Sequence, residues 1–202
     1  MARKKGILRR SDIPYAQRLA MQRRAEIKDI RDRAAKIAMY CATVAMHEVE
    51  GIGYKRIVRY SKRFDRYVYE FYDDPEVGMA HAKMRMEQMG MEVSGEFFTL
   101  NPVGMERKEW ELKSHSMQAV QVAMLCCHIA MNDEFGFGKE RQTRISDRIT
   151  ELSQRYDREG EGWLLEEMEK IGFHIEGGNA KIYLDENDNP ITRREYENKR
   201  ID

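Results

Sequence analysis

Residues 38–63 recur 85 positions later as residues 123–148. Eleven of the 26 aligned pairs are identical. Ala38, Met39, Cys41, Ala45 and Met46 return as Ala123, Met124, Cys126, Ala130 and Met131. Gly51, Gly53, Arg56, Arg59, Ser61 and Arg63 return as Gly136, Gly138, Arg141, Arg144, Ser146 and Arg148. A second match follows at a spacing of 82, where Met86–Val93 aligns with Met168–Ile175. The three-residue difference falls in a connecting loop, where deletions are tolerated. Self-similarity at a fixed spacing restricts a chain to architectures that use one supersecondary unit twice. A unit of about 60 residues buries too little surface to be secure alone. The two copies are therefore expected to pack face to face around a shared core.

Within each copy the apolar spacing is helical. Pro14 follows Ser11-Asp12 and suits a first helical turn, and no Gly or Pro interrupts the chain from there to Glu48. Ile27, Ile30, Ala34, Ile37, Tyr40, Cys41 and Val44 follow the three-and-four spacing of a buried helical stripe. Glu50-Gly51-Ile52-Gly53 ends that helix, a second runs from Tyr54 to Tyr72, and Asp73-Asp74-Pro75 opens a third over 75–89. Met91–Val93 reads as a short strand, pairing with Phe97–Leu100. The second copy repeats the order: helices at 117–133, 139–157 and 161–171, then a strand at 173–176. Gly177-Gly178-Asn179 turns that strand into a partner at 180–184. The expected fold is mainly α with a small β element, built as two tandem pseudo-symmetric helical repeats. Its expected divisions are a basic N-terminal arm at 1–24, a first repeat at 25–100, a linker at 101–118, a second repeat with a C-terminal hairpin at 119–184 and a charged tail at 185–202. Residues 1–12 read as disordered.

Composition narrows the setting. No run approaches 18 consecutive apolar residues, so no membrane span is expected. The N-terminus has no apolar stretch behind its basic residues, unlike a secretory signal. Three cysteines, an odd number within helical patterns, read as reduced core thiols of a cytoplasm. Cys126-Cys127-His128 has neither C-x-x-C nor H-x-x-x-H spacing, so no metal is expected. No cofactor motif and no catalytic constellation is found; Gly-x-Gly here follows a helix, not a strand. The net charge of zero conceals an asymmetry. Residues 1–24 hold eight basic residues and only Asp12, a net of +7, so the remainder sums to −7. A basic arm on a mildly acidic body is a layout suited to nucleic acid. Met79, Met84, Met86, Met89 and Met91 crowd one short stretch and read mainly as core, or else as an adaptable protein-binding surface.

The turns Gly51-Ile52-Gly53 and Gly136-Phe137-Gly138 resemble the turn of the helix-hairpin-helix family, whose backbone amides hold a DNA phosphate. The likeness covers about 20 residues per copy and lacks the family's proline, with Glu50 and Phe135 in its place. A helix that begins just after glycines offers free N–H groups and a positive dipole end to an anion. On this reading Gly51, Gly53, Lys55, Arg56 and Arg59 form one phosphate site, and Gly136, Gly138, Lys139, Arg141 and Arg144 the other. Arg63 and Arg148 extend the same basic stripe. Glu48, Glu50, Asp133 and Glu134 crowd the same place with negative charge. A tight turn whose glycines allow close packing, with Ile52 and Phe137 plugging the core, is the other reading.

The string Met131–Arg141 is similar to small uncharacterised proteins of bacteriophage and prophage genomes of Gram-positive bacteria, here as a two-unit version. That resemblance implies a viral accessory role in the host cytoplasm and assigns no activity. The expected function is non-enzymatic binding of nucleic-acid backbone phosphates. The alternatives are an inhibitor of a host (defence) protein and a sponge that sequesters a nucleotide, in a pocket between the copies with Tyr54, Tyr60 or Tyr67. A homo-oligomer is also compatible with the sequence.

Overall fold

The computed structural model describes residues 14–73, 75–91, 104, 106–187 and 189–199. It is mainly helical with one small sheet. The order is α1 (Tyr15–Glu50), α2 (Tyr54–Asp73), α3 (Pro75–Gln88), α4 (Arg107–Phe135), α5 (Lys139–Glu159), α6 (Glu161–Ile171), β1 (His174–Glu176), β2 (Asn179–Lys181) and α7 (Arg193–Lys199). β1 and β2 pair antiparallel with Ile175 opposite Ala180, around the Gly177-Gly178 turn.

The two long helices, α1 and α4, lie against each other and run the same way. Arg23 meets Glu111 near their starts, and the Cys127 thiol lies 3.9 Å from the Ala38 carbonyl oxygen further along. Small side chains make that approach possible: Ala38, Ala42, Ala45, Ala123 and Ala130 are all buried. The next helices return on the opposite long helix. α2 packs on α4 and α5 packs on α1, while α3 sits over α2 and α4, and α6 over α1 and α5. Neither half therefore closes its own core.

The amphipathic stripes explain this arrangement. Ile57, Tyr60, Phe64, Tyr67 and Phe71 face inward from α2, and Ile145, Ile149 and Leu152 from α5. Burying such side chains contributes about 1.5–3 kcal/mol each relative to exposure. Met86 is in the core, and Met79, Met89 and Met91 pack on it, whereas Met84 is exposed. Gly78 has a packing reason: a Cβ there would stand 2.8 Å from the Phe71 Cα and 2.9 Å from its ring, so the α3 backbone lies directly on α2.

Several expected boundaries move. α4 begins at Arg107, ten residues before the expected 117, so the second half of the expected linker is helix. The stretch Glu106–Phe135 has no Gly or Pro to stop it. The expected charged tail contains α7. Its start is a capping box, in which the Thr192 amide donates to Glu195 at 2.6 Å and the Glu195 amide donates to the Thr192 hydroxyl at 3.3 Å. Residues 15–24 of the expected arm are the first turns of α1. The expected disordered stretch at 1–12 and the expected strand pair at 91–93 and 97–100 lie, Met91 apart, outside the described residues.

Candidate functional site

Both long helices end the same way. Gly51 and Gly136 take left-handed backbone, with φ of 63° and 66°, and their amides donate to the carbonyls of His47 (3.0 Å) and Asn132 (2.7 Å). That reversal turns the next residue inward, and Ile52 and Phe137 are 3% and 2% exposed. The side chains at equivalent positions then lock the turn. His47 Nδ1 lies 3.0 Å from the Ile52 carbonyl oxygen, and Asn132 Nδ2 donates to the Phe137 carbonyl at 3.1 Å. His47 and Asn132 thus do the same work with different chemistry, which explains their exchange. Gly53 and Gly138 differ from the first glycines: neither is left-handed, and Gly138 is extended at the start of α5.

The basic stripes of α2 and α5 do not converge on a vacant surface; each meets the acidic end of the other half's long helix. Arg59 and Arg63 donate through Nε to the two oxygens of Glu134, at 2.7 and 2.8 Å. Arg144 reaches Glu50 at 2.7 Å, and Arg148 reaches Glu48 at 2.7 Å. Asp133 is held by the Tyr67 hydroxyl and by Arg85. Carboxylates on the last turn of a helix oppose its dipole, and these arginines offset that. The remaining predicted cations are mostly engaged. Lys55 pairs with Glu195 at 2.9 Å, Arg56 lies over the Phe135 ring at 5.1 Å, and Arg141 lies over the Phe137 ring at 5.4 Å with Glu50 3.8 Å away. Lys139 is exposed and makes no ion pair among the described residues. The ten expected phosphate-site residues do share one end of the bundle, where Lys55, Arg59, Arg141 and Arg144 are engaged in ion pairs with carboxylates of other elements.

The electrostatics follow. Burial works to raise the Glu134 carboxyl, but the hydrogen bonds from Arg63 and Arg59 outweigh it and hold the group below its ordinary range. The Arg148 guanidinium is strengthened as a base by its hydrogen bonds to Glu48 and Glu151. Burial pushes the thiols of Cys41 and Cys127 up to about 12 and raises Cys126 further. All three are free and buried, as core thiols should be. Among the described residues no group of three or more His, Cys, Asp or Glu could hold a metal, and no helix is long and apolar enough to cross a membrane. Tyr54, Tyr60 and Tyr67 are core residues, at most 5% exposed.

Two features escaped the sequence reading. The first is a buried polar chain in the second half only. Gln142, fully buried, donates to the Phe137 carbonyl at 2.8 Å, while its Oε1 lies 2.7 Å from His128 Nδ1 and Ser146 Oγ lies 3.3 Å from His128 Nε2. Because Gln142 Oε1 can only accept, Nδ1 carries the proton and Nε2 accepts from Ser146. The second is a recess of about 530 Å³ at the opposite end from the glycine turns, between α1, α2, α3 and α4. Phe71, Tyr72, Met79 and Val122 form much of its wall, Arg31 and Lys83 are its charged groups, and burial together with Arg31 and Arg23 holds the nearby His115 toward its neutral form. Its signal was faint: Arg31 sits on the apolar stripe of α1, one turn from Ile27 and Ala34.

Comparison with protein-family models, with curated proteins and with solved structures gives no match for this chain.

Proposed function

We propose that this chain is a non-enzymatic accessory protein of the bacteriophage type, acting in the host cytoplasm, that binds nucleic-acid backbone phosphates through its basic N-terminal segment and the exposed start of α1. This reading moves the contact away from the glycine turns. The observation that carries it is the solvent exposure of α1 from Tyr15 through Ala25, a stretch with Arg18, Arg23 and Arg24 and no acidic residue. Arg23 leans on Glu111, whereas Arg18 and Arg24 make no ion pair among the described residues. Phosphate contacts of this kind are electrostatic and indifferent to sequence. Arg59, Arg63, Arg144 and Arg148 are already paired with Glu134, Glu50 and Glu48, and a phosphate would have to displace those carboxylates.

Fluorescence anisotropy with single- and double-stranded DNA and RNA across a salt series tests the proposal. Affinity should fall steeply with salt, and Arg18→Ala with Arg24→Ala should flatten the slope by about 0.9 per lost phosphate contact on a duplex. Arg59→Ala with Arg144→Ala should lower stability and leave affinity nearly intact. The reverse outcome would return the site to the glycine turns. No binding to any nucleic acid at low salt would refute the reading and leave the inhibitor of a host protein as the alternative.

We further propose that the two halves are tandem pseudo-symmetric repeats of one duplicated unit. Four matched pairs support it: Gly51 with Gly136, His47 with Asn132, Arg59 with Arg144, and Gly90 with Gly172. Gly90 and Gly172 both have positive φ, and the residue after each donates its amide back to Met86 or Met168. Because α2 packs on α4 and not on α1, residues 1–100 expressed alone should self-associate or remain unfolded. A stable folded monomer from that fragment would overturn the shared-core reading.

A further inference from the structure

We infer that the recess between α1, α2, α3 and α4 is a binding site for a small amphiphilic organic anion, with an apolar tail against Phe71, Met79 and Val122 and an anionic head at Arg31 and Tyr72. The inference is independent of the nucleic-acid reading, which uses the outer surface of the start of α1. Four observations carry it.

The volume of about 530 Å³ lies within the range of small-molecule sites. The wall is chiefly carbon, so it offers little with which to read a nucleobase and much with which to cover a hydrocarbon chain. Among the described residues the charged side chains on that wall are both basic, Arg31 and Lys83. No carboxylate of a described residue lines it, in a chain with as many acids as bases; Asp32 and Asp65 line the adjoining recess on the other side of Arg31 and Tyr72. The bias is therefore local.

The polar groups at its edge also lack what they would ordinarily have. Arg31 is half-buried and lies over the Tyr72 ring, 5.0 Å from its centroid, yet makes no ion pair among the described residues. A partly desolvated guanidinium without a carboxylate is uncommon, because the charge then loses water and gains nothing ionic in return. The Tyr72 hydroxyl is buried and has no hydrogen-bond partner among the described residues. Burial pushes that phenol up to about 12, against the pull of Arg31, so it stays protonated and can donate. An anionic head beside Arg31 and Tyr72 would satisfy both groups at once, through charge-assisted hydrogen bonds.

The test is calorimetric titration of the full chain with decanoate, with 1-decanol as the neutral control. The wild type should bind decanoate more tightly than decanol. Arg31→Gln should weaken decanoate about tenfold or more while leaving decanol nearly unchanged, since only the charged contact is lost. Tyr72→Phe keeps the ring and should weaken decanoate by a smaller factor. Ala80→Trp, at an exposed position on the rim, should fill the recess and block both ligands. Thermal melting of each variant establishes that it folds. Failure of the wild type to bind decanoate, equal affinity for decanoate and decanol, or an Arg31→Gln variant that binds decanoate like the wild type would each overturn the inference.

Discussion

The four glycines of the two turns look interchangeable in the sequence and are not so in the backbone. Gly51 and Gly136 are left-handed, whereas Gly53 and Gly138 lie outside that region. A Cβ at any of the four would meet nothing within 4 Å, so sterics with neighbours contribute nothing and the backbone conformation alone decides the cost. For alanine, the left-handed region costs about 1–2 kcal/mol. Replacing glycine also lowers the entropy of the unfolded chain, which returns about 0.4–1 kcal/mol when the native conformation is compatible. At Gly53 and Gly138 only that second term operates, reduced by the few tenths of a kcal/mol that glycine gains over alanine at a helix start. Gly51→Ala and Gly136→Ala should therefore destabilise by about 1 kcal/mol, and Gly53→Ala and Gly138→Ala should change stability by less than about 0.5 kcal/mol.

For a chain of this size, 1 kcal/mol corresponds to a drop in Tm of about 2–4 °C. Melting followed by far-ultraviolet circular dichroism resolves that difference. Asparagine tolerates left-handed backbone better than alanine, so Gly51→Asn should fall between wild type and Gly51→Ala. Equal losses at the first and second glycines, or no loss at Gly51 and Gly136, would refute the reasoning. The discriminating quantity is the difference within each turn.

Other outcomes follow from the same structure. Glu134→Gln leaves Arg59 and Arg63 without their carboxylate; those arginines are 60% and 39% exposed, so water screens much of the loss, and the expected cost is about 1 kcal/mol or less by chemical denaturation. Glu134 titrates below its ordinary range when folded, so its contribution is complete above the unfolded carboxylate pKa and is lost as pH falls through the folded value; Glu134→Gln should flatten the acid limb of the stability profile. Gln142→Ile installs the residue found at the equivalent position, Ile57, but strands the His128 Nδ1–H and should cost about 1–3 kcal/mol. His128, lowered by burial despite the opposing Gln142 hydrogen bond, contributes stability that is complete above the ordinary imidazole pKa and declines as pH falls through the folded value, so Tm should be lower at mildly acidic than at neutral pH. Finally, thiol labelling of the native protein at mildly alkaline pH should be slow at all three cysteines and become fast only on unfolding; rapid labelling of even one would contradict their burial.

The helices were legible because their cause is local. Apolar spacing and the glycine pairs located α1, α2, α3, α5 and α6 to within a few residues, and the Gly177-Gly178 turn located the hairpin. Two misjudged segments carried readable signals: Trp110 and Leu112 already belong to α4, and Thr192-Arg193-Arg194-Glu195 is a capping box ahead of α7. The pairing of the arginines was not legible in the same way. Their spacing shows that Arg59 and Arg63, or Arg144 and Arg148, share a helical face. It does not show what stands opposite, because the partner lies 71 to 100 positions away in the chain, on the other half.

That distance changes what the repetition of the arginines means. A residue kept in both copies of a unit can be kept for an external ligand or for the other copy. Arg59 and Arg144 both reach across to an acid at the end of the opposite long helix, and so do Arg63 and Arg148. The acids are not at strictly equivalent positions: Glu134 aligns with Val49, and Glu50 aligns with Phe135. One half therefore uses one carboxylate for two arginines, and the other half uses two. Phosphate binding would require the arginines to be matched to a ligand with no need of acids, whereas the acids here are supplied twice by different residues. Arg59, Arg63, Arg144 and Arg148 are thus all engaged in contacts between the halves.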